Sequence, residues 1–455
     1  MTRLHFASIF MALVCCLAAF GARRTFHAQD IYGYAYVYQT HDGEVGITIA
    51  DPILGTMRTI SVNDGENAAD LINAAPSVGH EWVAVVLGEN NQRIVKLANI
   101  ITSEVHEIGR YTVPIPSALL FGPPQDVVWS PNGMYLAFNI GQRSADGFTI
   151  TSTSTVIYSI QENSVIDLSR EGTQSTRLAW SNDSRYLTVA SFECRSECVA
   201  RLDQYDITTK GWSSSIVLDP EVRAASEAGM CYLAWSPDDT YISFVANCDG
   251  ALYAYYKEVY LVDVTQGSVR RLTDFTYRQD IEKQQGFLVI AYNTTWLNHN
   301  ALFISAVHGV GVERIAETFV YHPSTGEESE LFSGFTPVVG WNAQSNVLAY
   351  QIGSRSREYF GALTSVGAAN VSATRSSIAD QLNIPLIDAP VCDLNWSPDG
   401  AILAYMIPYV TDTCGVRAKQ IQFLHFDSAG SQPLPWATDL SGIRSNLPIG
   451  WVPTR

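Results

Sequence analysis

The sequence predicts an all-β chain folded as a ring of four-stranded antiparallel blades: an eight-bladed β-propeller, with seven blades as the alternative count. Three observations carry that prediction. A Trp-centred hairpin pattern recurs along the chain, its interval stays near fifty residues, and no long amphipathic helix interrupts the series. A period of that size encoding several strands is the signature of a propeller.

The clearest copy is Trp396-Ser397-Pro398-Asp399-Gly400 followed by Ala401 to Tyr405. Leu394 and Trp396 belong to a short apolar strand. The next four residues form a turn, in which Pro fixes φ, Asp bonds downstream backbone and Gly takes positive φ without steric cost. Ala401 to Tyr405 is a second apolar strand, so the unit is a hairpin. Both strands are apolar at nearly every position, which implies a sheet covered on both faces.

Further copies start at Trp129, Trp180, Trp235, Trp296 and Trp341, and a weaker one aligns Pro76 with the Trp position and Trp82 to Val85 with the second strand. From Trp129 to Trp451 the intervals are 51, 55, 61, 45, 55 and 55 residues. Third and fourth strands recur between copies, as in Val259 to Asp263 followed by Arg270 to Thr273. The Trp residues hold a fixed place before the turn, which makes them core between blades and not a sugar-stacking platform. A short helical stretch is expected only at 376–384.

With its Ala-Phe or Ala-Tyr second strand, its third strand ending in Asp and its Arg-Arg-Leu-Thr fourth strand, the unit resembles the WD-type repeat of TolB-like propellers. Similar blades form the propeller domains of prolyl oligopeptidase relatives. The resemblance covers almost the whole chain after the first thirty residues, and it implies fold far more strongly than function.

At 455 residues the chain exceeds what one hydrophobic core usually supports, but a repeat array escapes that limit by stacking units. One propeller domain over 30–455 is expected. Residues 1–28 read as an export signal: Arg3 gives a positive start, Phe6 to Phe20 is apolar, and small residues follow. Arg23 and Arg24 directly after the run are unusual for such a segment, and the run is short for a membrane span. An uncleaved anchor and a lipid-modified Cys15 or Cys16 are the alternatives, and only through this segment would the chain meet a membrane. Without the segment the formal charge moves from −17 to −20, since three Arg and no acids are lost. Such a chain repels phosphate backbones and excludes nucleic acid as partner. The expected location is secreted, periplasmic or cell envelope.

Residues 30–61 show a second, a third and a fourth strand but no Trp strand before them. That missing strand stands at the other terminus, in Pro448 to Pro453. The ring should therefore close through one blade shared by both termini, which removes exposed sheet edges.

Six cysteines remain after the signal: Cys194, Cys198, Cys231, Cys248, Cys392 and Cys414. An even count in an exported chain argues for disulfides. Blade geometry pairs Cys194 with Cys198, Cys231 with Cys248 and Cys392 with Cys414. Zinc fits worse, because the spacing is not a paired C-x-x-C and no His lies close by.

In an up-and-down blade, the start of the first strand, the link between second and third, and the end of the fourth share one face of the ring. The longest insertions, 219–230, 274–289, 374–391 and 409–415, all fall there. That face is the expected binding surface, with Asp126, Tyr232, Asp393, Tyr277 and Arg278 as its candidate residues. No Gly-x-Ser-x-Gly elbow occurs and the His residues are scattered, so neither catalysis nor a cofactor or metal is expected. The expected function is a non-catalytic protein-binding or scaffold module with an envelope or extracellular protein as partner. The alternative is a carbohydrate-binding protein or polysaccharide lyase working at the channel mouth.

Overall fold

A strand that is apolar throughout needs cover on both faces, and the middle strands of each unit receive it. Val45–Asp51 is buried at every position, and Val259–Asp263 and Ile402–Pro408 nearly so. The outermost strands are different: Thr56–Asn63 and Gly211–Val217 are mostly exposed. The computed structural model describes residues 32–63, 69–77, 81–89, 92–112, 127–143, 150–170, 173–194, 198–218, 230–246, 258–274, 288–310, 313–336, 338–344, 346–353, 363–370, 387, 391, 393–408, 418–427, 430–440 and 442–454. The export segment and the expected helical stretch lie outside them.

The units are antiparallel meanders, 70–112, 127–167, 173–217, 230–271, 288–332, 339–370 and 393–439, together with a closing sheet. Unit 339–370 has three strands among the described residues. The strands form seven sheets, not the eight separate blades expected from the repeats, so the alternative count holds. The reason is local. Units 127–167 and 173–217 join into one eight-stranded sheet, through a parallel pairing of Ile150–Ser159 with Thr173–Trp180 at Thr153 and Gln174. The Pro76 unit, the weakest copy in sequence, forms a sheet of its own.

The closing sheet has the order Thr56–Asn63, Val45–Asp51, Tyr32–Gln39, Ser445–Pro453. Its C-terminal strand pairs antiparallel with Tyr32–Gln39, as the missing first strand required. Hydrophobic clusters fill the space between neighbouring units all round the ring. The last one joins Phe423, Ile421 and Met406 of unit 393–439 to Tyr34, Tyr36 and Trp451 of the closing sheet. Burial of such side chains, about 1.5–3 kcal/mol each, is what holds the units together.

The Trp residues add direction to that packing. Five of the indole N–H groups reach back to the carbonyl just before the Trp position of the preceding unit. Trp129 donates to Ala75 O at 2.9 Å, Trp180 to Val128 O at 3.3 Å, Trp296 to Ala234 O at 3.3 Å, Trp396 to Gly340 O at 3.1 Å and Trp451 to Asn395 O at 3.0 Å. The bond to Ala75 confirms that Pro76 occupies a Trp position. The buried indole N–H groups of Trp235 and Trp341 have no acceptor within reach. Stacking reinforces the tie: Trp180 lies on Tyr135, Trp235 on Tyr186 and Trp296 on Tyr241, each Tyr opening the second strand of the preceding unit.

The Ser-Pro-Asp-Gly turn works through its Ser hydroxyl. Ser397 Oγ donates to Asp399 Oδ1 at 2.5 Å and accepts the Ile402 N–H at 2.8 Å, which closes the hairpin. Ser130, Ser181 and Ser236 repeat the arrangement. The last turn position has positive φ in all four: Gly133 68°, Ser184 62°, Asp239 59° and Gly400 68°. Where the residue is not Gly, its side chain bonds the preceding unit, offsetting a backbone cost of about 1–2 kcal/mol. Ser184 Oγ accepts the Asn132 N–H, and the Asp239 carboxylate accepts from Asn182 N, Asn182 Nδ2 and Asp183 N.

The Asp that ends the third strand has a second role in turns. Asp206 accepts from Thr208 and Thr209 backbone and from Arg185, whose guanidinium holds this carboxyl well below the usual range. Asp51 accepts the N–H groups of Ile53 and Leu54, and Asp263 that of Gln266.

Two outcomes follow for urea unfolding at pH 7. Asp239→Gly removes a carboxylate that accepts three hydrogen bonds while suiting the backbone, and is expected to lower stability by about 1–3 kcal/mol. Asp239→Ala loses the same bonds and keeps the strained φ, so it should fall about 1 kcal/mol further. Trp451→Phe, which loses the indole bond from the closing sheet to Asn395 of unit 393–439, is expected to cost about 1–2 kcal/mol, and Trp451→Ala about 3–5 kcal/mol.

Candidate binding surface at the long-loop end

Each unit starts with an inner strand running from one end of the ring to the other, so alternation fixes where every connection falls. The long connections between Val217 and Met230, Arg271 and Leu288, Gly353 and Leu363, and Pro408 and Ala418 all join strands at one end. The opposite end has the short turns after Trp129, Trp180, Trp235 and Trp396. The asymmetry read from the sequence is thus present in the strand order.

The inner strands are not regular as they approach the long-loop end. Register shifts interrupt their pairing between Leu71 and Asn73, between Ser175 and Arg177, and between Cys231 and Ala234. Such bulges re-aim side chains and recur beside functional sites. One sequence position is involved each time, three residues before the Trp position: Asn73, Arg177 and Tyr232. Asn293 and Asp393 stand at the same place in their units.

Three of the residues singled out from sequence, Asp126, Tyr232 and Asp393, share this position. Asp126, Tyr277 and Arg278 lie outside the described residues. Tyr232 sits in the bulge itself, with φ 53° and a side chain 39% exposed. Asp393 is engaged within the ring. Its Oδ2 accepts from Tyr34 Oη at 3.0 Å and from Asn395 Nδ2 at 3.2 Å. Burial pushes the Asp393 carboxyl up, against the opposing effect of those bonds; burial and then the Asp393 charge push the Tyr34 phenol well above its ordinary value. Asn293 likewise ties to the following unit, donating to Thr336 O at 3.3 Å. Sequence reasoning did not select Asn73, Arg177 or Asn293, although counting back from each Trp position would have found them.

The cysteines divide in the same way. Cys194 and Cys198 end paired strands and are Cα partners. Cys231 lies opposite Val245 in the strand register and is disulfide-bonded. Cys248, Cys392 and Cys414 lie outside the described residues.

Within the ring, a cavity of about 450 Å³ is lined by the inner strands of four consecutive units, from Asn73 through Trp129 and Trp180 to Trp235. Its lining residues are apolar apart from Asn73 and the Trp indoles, and include no Asp, Glu, His, Lys or Arg. Among the described residues no group of three or more His, Cys, Asp or Glu comes together as a metal site. The lining side chains offer no acid–base pair.

No protein-family model matches the chain, and a search of curated proteins finds no match. Solved structures do match. The dihydro-heme d1 dehydrogenase NirN in complex with DHE superposes with a TM-score of 0.55 at 11% identity, covering 96% of this chain and 78% of that one. The chain has the β-propeller fold. An oligogalacturonate lyase in complex with manganese gives 0.48 at 9% identity, over 88% of this chain and 96% of its own. TolB from Acinetobacter baumannii gives 0.33 at 14% identity, over 65% and 62%. At 11% identity the likeness to NirN is one of fold, the β-propeller that the repeat pattern implied.

The Asp393 contact gives the propeller a pH signature. A carboxyl whose folded pKa is raised stabilises the fold fully below its unfolded value, about 3.9, and loses that contribution as pH rises through the folded value. Asp393→Asn is neutral throughout and keeps an acceptor for Tyr34. It is therefore expected to unfold at higher urea concentration than the wild type at pH 7, with the difference shrinking towards pH 4 and below.

Proposed function

We propose that this propeller is an exported, non-catalytic docking module of the cell envelope or extracellular space, which holds a protein partner on its long-loop end. The observation that carries the reading is the asymmetry of the ring: one end is built of short, hydrogen-bonded turns, the other of long connections mounted on a rigid scaffold. Loops so mounted are where recognition concentrates. Tyr232 supports it further, since an exposed aromatic at a bulge is a suitable interface anchor.

Disulfides at the same end belong to this proposal. Cys194 and Cys198 support their pairing by standing directly opposite, because Cα separations across paired strands overlap the range a disulfide spans. The Cys231–Cys248 pair is proposed because Cys231 is disulfide-bonded and the spacing suits Cys248; the Cys392–Cys414 pair is proposed on spacing. The residues lining this cavity include no carboxylate or His, which weighs against a reaction there that needs them convergent, such as polysaccharide elimination.

Cross-linking in intact source cells, followed by purification and mass spectrometry, tests the reading. A stoichiometric protein linked within 219–230 or 274–289 is the expected result. Recovery of the propeller with a retained glycan and no protein partner would overturn it in favour of a lectin or lyase.

A further inference from the structure

Among the described residues, one turn at the short-turn end is unlike the others. Turns there carry polar tips, such as Asn132, Asp183, Asp238, Thr208 and Gln266. The turn between Val45–Asp51 and Thr56–Asn63 instead presents Ile53, 70% exposed, and Leu54, 59% exposed, with Met57 beside them at 55%. The related turn after Asn99 also has an Ile, but Ile101 is packed against the core. Nothing in the local backbone requires apolar residues at 53 and 54. Asp51 Oδ1 accepts both their N–H groups and Gly55 takes the positive φ, so the tip is ordered by other residues and the two side chains are displayed.

The position of this turn says what it meets. Tyr34 pairs with Ala50, so the strand Tyr32–Gln39 begins beside the turn, at the same end of the ring. The sequence immediately upstream carries the apolar run Phe6 to Phe20, followed by Arg23 and Arg24. Residues 21–31 connect the two and span at most about 37 Å when extended. An apolar run of that length is a weak anchor alone, and stable membrane attachment takes a second contact. We propose that Ile53, Leu54 and Met57 are that contact: with the N-terminal segment retained, the propeller rests on the lipid surface by this turn. Ile53 and Leu54 enter the acyl boundary.

The test places a photo-reactive phenylalanine analogue at Leu54 of the full chain, expressed in its source membrane, with the same probe at Asn132 as control. Irradiation is expected to give lipid adducts at position 54 and none at 132. In parallel, full-length Ile53→Asp/Leu54→Asp is expected to release from phosphatidylcholine vesicles at least about tenfold more readily than the wild type. These exposed positions leave the core intact, so urea unfolding should be unchanged. A protein adduct at 54, equal adducts at both sites, or wholly soluble recovery of a chain cleaved before residue 32 would each overturn the proposal.

Discussion

The fold depends on a repeated contact in which the Trp of one unit is buried against its predecessor and bonds the carbonyl that precedes that unit's own Trp position. Burial gives the contact its energy and the indole bond gives it register. A sheet that is apolar on both faces has no other reason to choose one sliding position over another against its neighbour. The directed bond to a main-chain carbonyl supplies that reason, and it reads the same from unit to unit because it contacts backbone and not a particular side chain.

Around this contact the two ends of the ring diverge. At the turn end, polar side chains stitch units together: Ser184 and Asp239 accept from the preceding turn, and Asn342 donates to Gly400 O. The Cβ of any other residue at 400 would collide with the Asn342 amide, so Gly there makes room for the donor that approaches it. Where the turn residue is itself the tie, as at Asp239, a left-handed backbone is tolerated for the sake of its carboxylate. At the long-loop end, bulges break the inner strands at a common position and turn Tyr232 outward, while Asp393 is drawn into the seam beside Tyr34. A stiff ring with one tight end and one elaborated end suits a protein that holds one surface in place and offers the other. The apolar Ile53–Leu54 tip and the long connections lie at opposite ends of the ring.

Much of this architecture was written in the sequence. The Trp interval, the Ser-Pro-Asp-Gly turns and the missing first strand at the N-terminus determined a propeller closed by Ser445–Pro453, because each expresses a local rule about turns or strand cover. Sequence alone also placed the long connections at one end, since alternation of strand direction needs no coordinates. What only the tertiary structure decided are contacts between chain segments far apart. The bridge between Thr153 and Gln174 merges two units into one sheet and brings the count to seven; no periodicity reports a single interstrand pairing. Asp393 looked like a surface acid, yet its neighbour Tyr34 lies 359 residues away across the closure. The exposure of Ile53 and Leu54 was equally hidden, because an apolar pair in a turn reads as core until the packing around it is known.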